Sequence, residues 1–150
     1  MMEGRRTPID DVIVKLARSD RVRCKPKICV IPTPTGDAES VIAAFDEAYA
    51  EVALTYHLAP FRKPRANSIP LSDIANGLRT MDAVFVTGGN TKSALGVWKE
   101  WGIDRDLRTA YDHGVLIAGM SAGASAWFPG RAFDVAIGGA PARVRGASIP

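Results

Sequence analysis

A short apolar run, Val115-Leu-Ile-Ala118, leads directly into Gly119-Met120-Ser121-Ala122-Gly123, and this junction restricts the fold more than any other stretch of the chain. The run reads as a buried strand. The small residues around Ser121 read as a sharp turn from that strand into a helix, where bulky neighbours would collide. Such a turn lifts a serine hydroxyl clear of the sheet, open to a base on one side and to a substrate carbonyl on the other. It also leaves the Ala122 N–H at a helix N-terminus, where the backbone dipoles favour negative charge. Two readings of the pentapeptide stay open at this point: a nucleophile elbow, and a Gly/Ser-rich turn without chemistry.

The chain before this junction alternates between strand and helix patterns. Ile9, Val12, Ile13 and Leu16 recur at helical spacing, with Thr7 placed to cap the helix and Pro8 at its first position. Strands are expected at residues 27–31, 51–57, 82–87 and 115–118, each an apolar or alternating run ended by Gly, Pro or polar residues. Helices are expected over 38–50, with Val41, Ile42, Phe45, Ala48 and Tyr49 on one face, and over 71–78, 93–101 and 104–113. Regular alternation of this kind predicts an α/β fold, a parallel sheet flanked by helices on both faces. Ligands of such sheets bind beyond the carboxyl ends of the strands. Residues 32–37, 88–91 and 119–123 all lie at such ends, so a shared site is expected there.

An acyl-transfer serine needs a base, a group that orients the base, and donors for the oxyanion. Gly88-Gly89-Asn90 is a candidate source of a second backbone N–H opposite that of Ala122, because glycines let backbone approach a substrate closely. Alone, the two glycines read as a turn; paired with the elbow on a neighbouring strand, the oxyanion role is the better reading. The base is harder to find. The sequence has 2 histidines. His113 precedes Gly114 at a helix end and reads as a C-terminal helix cation. His57 ends the second strand and reads as a half-buried strand histidine. Asp134, downstream of the elbow, is a candidate to orient a histidine, although a surface-loop aspartate has the same appearance.

These stretches together resemble the dipeptidase E-like serine peptidases, which group with cyanophycinase and share a fold like that of class I glutamine amidotransferases. The matching segments are PKICVIPTPTGD (26–37), FVTGGNT (85–91) and GMSAGA (119–124), with HLAPFR (57–62) and residues 98–104 also similar. The resemblance implies a flavodoxin-like three-layer sandwich, incomplete in this chain, with Ser121 as nucleophile and Gly88 or Gly89 together with Ala122 as the oxyanion hole. It places an acidic residue shortly after the elbow, at Asp134. It further implies short peptide substrates with an N-terminal aspartate, a basic side chain near the pocket, and no metal or organic cofactor. Two departures stand out. Family members begin with an additional strand ending in a glycine-rich turn, and they carry the catalytic histidine downstream, in a stretch without a counterpart here. The chain therefore reads as truncated at both ends, with residues 1–128 as the dipeptidase E-like unit and 129–150 as a divergent tail rich in Gly, Ala, Arg and Pro.

Composition narrows the remaining classes. With 47% hydrophobic and 23% charged residues, the 150-residue chain is an ordinary globular domain. A net charge of +3 is spread in small clusters without an aromatic-interleaved basic stripe, which argues against nucleic acid as a partner. No long apolar run suggests a membrane span, and no signal-peptide pattern opens the chain. Cys24 and Cys29 show neither a metal-site spacing nor a disulfide framework, so a reducing cytoplasm is expected. Uncovered strand edges predict self-association into a homo-oligomer. The competing function is a non-catalytic amidotransferase-like remnant that binds peptides or a protein partner. An α/β-hydrolase esterase would want a longer chain, and a glutamine amidotransferase would want cysteine at position 121.

Overall fold

A computed structural model describes residues 6–17 and 25–126. Its strands are β1 (Lys27–Ile31), β2 (Leu54–His57), β3 (Ala83–Val86) and β4 (Leu116–Gly119), all parallel in one sheet of order β2-β1-β3-β4. The helices are α1 (Pro8–Ala17), α2 (Glu39–Tyr49), α3 (Ile74–Arg79), α4 (Thr91–Trp101), α5 (Ile103–Asp112) and the short α6 (Ala122–Ser125). Side chains alternate between the two faces of a strand, and the core divides accordingly. Ile28, Val30, Ala83 and Phe85 face one way, packed with Ile13 and Val14 of α1 and Phe45 and Tyr49 of α2. Cys29, Ile31, Val84 and Val86 face the other way, among Leu78 of α3, Trp98 of α4 and Leu107 and Ala110 of α5. Apolar residues thus fill both faces of the central strands, as a parallel sheet covered on both sides requires. The three-layer α/β sandwich expected from the sequence is the fold observed. No helix among the described residues is long and apolar enough to cross a membrane.

Several boundaries differ from the sequence expectation, each for a local reason. The second strand begins at Leu54 rather than at 51, because the N–H groups of Val52 and Ala53 turn back onto the Tyr49 carbonyl at the end of α2. The third helix starts at Ile74, where the Asp73 side chain accepts the Asn76 N–H. The fourth starts at Thr91, two residues early, because Asn90 accepts the Ser93 N–H at 2.9 Å. A 3₁₀ turn at Thr33–Thr35, which periodicity did not indicate, follows β1.

The first helix begins as expected, at Pro8, but turns a different face inward. Thr7 and Asp10 form a reciprocal cap: the Thr7 N–H and hydroxyl each reach Asp10 Oδ2 at 2.8 Å, and the Asp10 N–H reaches Thr7 Oγ1 at 3.5 Å. The other Asp10 oxygen accepts the buried Tyr49 hydroxyl at 2.7 Å. That polar anchor rolls the helix so that Asp10, Ile13 and Val14 are buried. Ile9, at 70% exposure, and with it Val12 and Leu16, faces solvent instead of the core. A buried carboxylate demands its hydrogen bonds, and here that demand overrides the simple apolar stripe.

His57 closes β2 and is 2% exposed. Its Nε2 lies 2.7 Å from Ser68 Oγ, which also accepts the Arg65 N–H, while its Nδ1 is buried without a partner. Burial holds the imidazole below its ordinary value of 6.5, with Arg65 adding to the effect and Asp46 and Glu39 opposing it. An imidazole that is neutral in the folded state takes up protons more readily once unfolded. Stability is therefore expected to fall as pH drops below about 6.5, through the window down to the lowered folded value. Urea titrations at pH 7.5 and 5.5 should show this loss, and His57→Gln should lessen it; an unchanged pH difference in that variant would exclude His57 as its source.

Candidate active site

The reversal of strand order places a crevice at the carboxyl ends of β1 and β3, since the chain leaves β1 toward β2 on one side and toward β3 and β4 on the other. Residues 32–37 follow β1, Thr87 to Asn90 follow β3, and Met120 and Ser121 follow β4. The loops after β1 and β3 are joined directly, the Asn90 N–H donating to the Pro34 carbonyl at 2.7 Å.

Ser121 adopts φ 53° and ψ −114°, a backbone conformation that residues with side chains seldom enter. Its neighbours explain why the strain persists. A Cβ on Gly119 would lie 2.5 Å from the Gly123 carbonyl oxygen, and a Cβ on Gly123 would collide with the Val86 carbonyl of β3. The two glycines therefore let the start of α6 fold down against β4 and β3, and Ser121 takes the strained turn between them. Ser121 itself is exposed, whereas Ala122 and Gly123 beneath it are buried. The Gly123, Ala124 and Ser125 amides are taken by the Met120 and Ser121 carbonyls, but the amides of Gly88, Gly89 and Ala122 donate to no acceptor among the described residues. Gly88 stands directly against the serine: a Cβ there would lie 3.3 Å from Ser121 Cβ and 3.5 Å from the Met120 carbonyl oxygen. The structure thus brings Ser121 and the Gly-Gly loop side by side.

Neither histidine joins them. His57 lies on β2, three strand positions from β4, and adjacent strands are ~4.8 Å apart, so roughly 14 Å of sheet intervenes. It is also buried under its own partner, Ser68. His113 follows α5 at the opposite end of β4, where its Nδ1 lies 2.7 Å from the Thr109 carbonyl. Asp134 lies outside the described residues. Cys29 is sealed in β1, and burial pushes its thiol well above the ordinary range, so it is a core residue rather than a nucleophile.

One residue escaped sequence reasoning. Asp37 reads as the end of a polar loop, yet it is fully buried with φ 55°. Its Oδ2 accepts the Phe61 N–H at 2.8 Å and its carbonyl accepts Arg62 Nε at 2.5 Å. Burial raises its carboxyl above the usual aspartate range, against the hydrogen bond from Phe61 and the charge of Arg62. The Gly36-Asp37 pair after two prolines was the available signal, because aspartate tolerates the left-handed region better than most residues.

The family model for peptidase family S51 matches residues 1–136. An uncharacterized peptidase of Bacillus subtilis (strain 168), YgaJ, is 37% identical over 128 residues, which cover 85% of this chain and 51% of that protein. Among solved structures, "a Putative Peptidase E Protein from Listeria monocytogenes EGD-e" superposes with a TM-score of 0.54 at 26% identity, over 74% of this chain and 54% of that one. The chain spans about half the length of both.

The glycine contacts lead to opposite outcomes at two positions. Gly123→Ala is expected to lose about 1–3 kcal/mol or more in urea denaturation, because its methyl group meets backbone that cannot yield. Gly96→Ala, in α4 with nothing within 4 Å, is expected to stabilise by about 0.5–1 kcal/mol. Equal effects of the two would contradict the packing described for the elbow.

Proposed function

The chain belongs to peptidase family S51, and from that premise we propose that it carries the nucleophile and oxyanion half of a serine peptidase site. The observation that supports this best is the seating of strained Ser121 against Gly88, while the Gly88, Gly89 and Ala122 amides have no acceptor among the described residues. In this reading Ser121 Oγ attacks a peptide carbonyl and its proton passes to a base. The Ala122 N–H and that of Gly88 or Gly89 hold the oxygen as it becomes negative, a contribution usually worth several kcal/mol. Collapse of the tetrahedral intermediate expels the amine with its proton, and water then hydrolyses the acyl ester. The substrates are short peptides with an N-terminal aspartate, and Asp134 is the acidic residue that orients the base.

The base that Asp134 would orient is not among the described residues beside Ser121. Both of the chain's histidines are accounted for, and neither reaches Ser121. That favours a second reading, a non-catalytic amidotransferase-like domain that binds peptide in the same crevice. Losing one triad member leaves ~10³–10⁴-fold acceleration over water from the oxyanion hole and binding. The isolated chain is therefore expected to cleave aspartyl dipeptides very weakly and to react slowly with a fluorophosphonate probe. Free imidazole in solution should raise the probe's reaction at Ser121 in proportion to its concentration, and Ser121→Ala should abolish it. Labelling that ignores imidazole, or that survives Ser121→Ala, would remove the serine-peptidase reading.

A further inference from the structure

A continuous chain of contacts leads from Asp37 to Ser121. The carboxylate accepts the Phe61 N–H at 2.8 Å and the carbonyl accepts Arg62 Nε at 2.5 Å, so the segment after β2 grips Asp37 at two points. Asp37 and Gly36 both have positive φ, at 55° and 67°, and they close a turn in which the Gly36 and Asp37 amides fold back onto the Thr33 and Pro32 carbonyls. At the head of this turn stands Pro34. Its carbonyl accepts the Asn90 N–H at 2.7 Å, and it presses on Gly89 so closely that a Cβ there would collide with it. Gly89 follows Gly88, which lies against Ser121.

We propose that Asp37 is the positioning residue of the oxyanion loop. By fixing the left-handed end of the 32–37 turn, it sets the Pro34 carbonyl that orients Gly89 and Asn90 beside Ser121. A left-handed, buried aspartate that holds the Phe61 N–H with its carboxylate is a costly way merely to end a turn. Glycine would adopt the backbone without strain, and only a side-chain acceptor can hold the Phe61 N–H. The same contacts make the segment at 58–62 part of the site's support, although no hydrogen bond among the described residues joins it to Gly88 or Ser121.

The proposal rests on the reading of Ser121 and the Gly-Gly loop as a peptidase site, and two measurements separate its fate from that reading. The first is residue-resolved amide hydrogen exchange on the intact chain. Asp37→Gly, which keeps the backbone conformation but loses the acceptor, should speed exchange at Asn90 by about 10-fold relative to Val30 and Phe85 in the central strands. Asp37→Asn, which keeps an acceptor and tolerates positive φ, should restore the native rate. The second is fluorophosphonate labelling of Ser121 in the presence of imidazole, expected to fall about 10-fold in Asp37→Gly and to recover in Asp37→Asn. Exchange that rises equally at Asn90, Val30 and Phe85 would overturn the proposal, as would an Asp37→Asn variant that behaves like Asp37→Gly. If Ser121 fails to label even in the native chain, the peptidase reading falls and the exchange data alone decide whether Asp37 holds the loop.

Discussion

Backbone meets backbone where α6 descends on β3, and the geometry of the crevice depends on that contact. Gly123 lies so near the Val86 and Thr87 carbonyls that no side chain fits, and Gly119 is equally close to Gly123. With these approaches made, the residue between them has little choice: Ser121 takes a positive φ and stays exposed above the buried Ala122 and Gly123. Strain of this kind persists because the surrounding contacts over-determine the turn.

The same economy of backbone governs the other two loops. Pro34 carries no N–H, but its carbonyl serves as the meeting point of the loops after β1 and β3. Gly89 can approach that carbonyl only because it lacks a Cβ. Asp37 secures the opposite end of the turn by offering its carboxylate to Phe61 and its carbonyl to Arg62. Three loops from three strands thus hold one another through main-chain atoms, with few side chains contributing.

Charge and burial divide the chain's titratable groups into structural and site-facing sets. Asp10 is committed to capping α1 and to the Tyr49 hydroxyl, which it and the surrounding burial keep protonated. His57 is committed to Ser68 at the β2 edge, and Cys29 to the core. In this member of peptidase family S51 the described residues set Ser121 against Gly88 and hold both histidines in bonds elsewhere.

Periodicity and punctuation alone determined the order of strands and helices, because apolar spacing and Gly/Pro breaks are local properties that survive without knowledge of neighbours. The same local signals located Ser121, Gly88 and Gly89 at strand ends, and hence on one rim of a parallel sheet. Helix starts at Ile74 and Thr91 were displaced because capping by Asp73 and Asn90 depends on one side-chain rotamer rather than on a repeating pattern. Tertiary structure decided the rest. The inward face of α1 depends on Tyr49, more than thirty residues away, offering a hydroxyl to Asp10. The distance of His57 from Ser121 depends on strand order, which no spacing in the sequence encodes. Asp37 became a buried, left-handed anchor only when the segment after β2 folded over it, for a carboxylate is ordinary in a loop until another part of the chain removes its water.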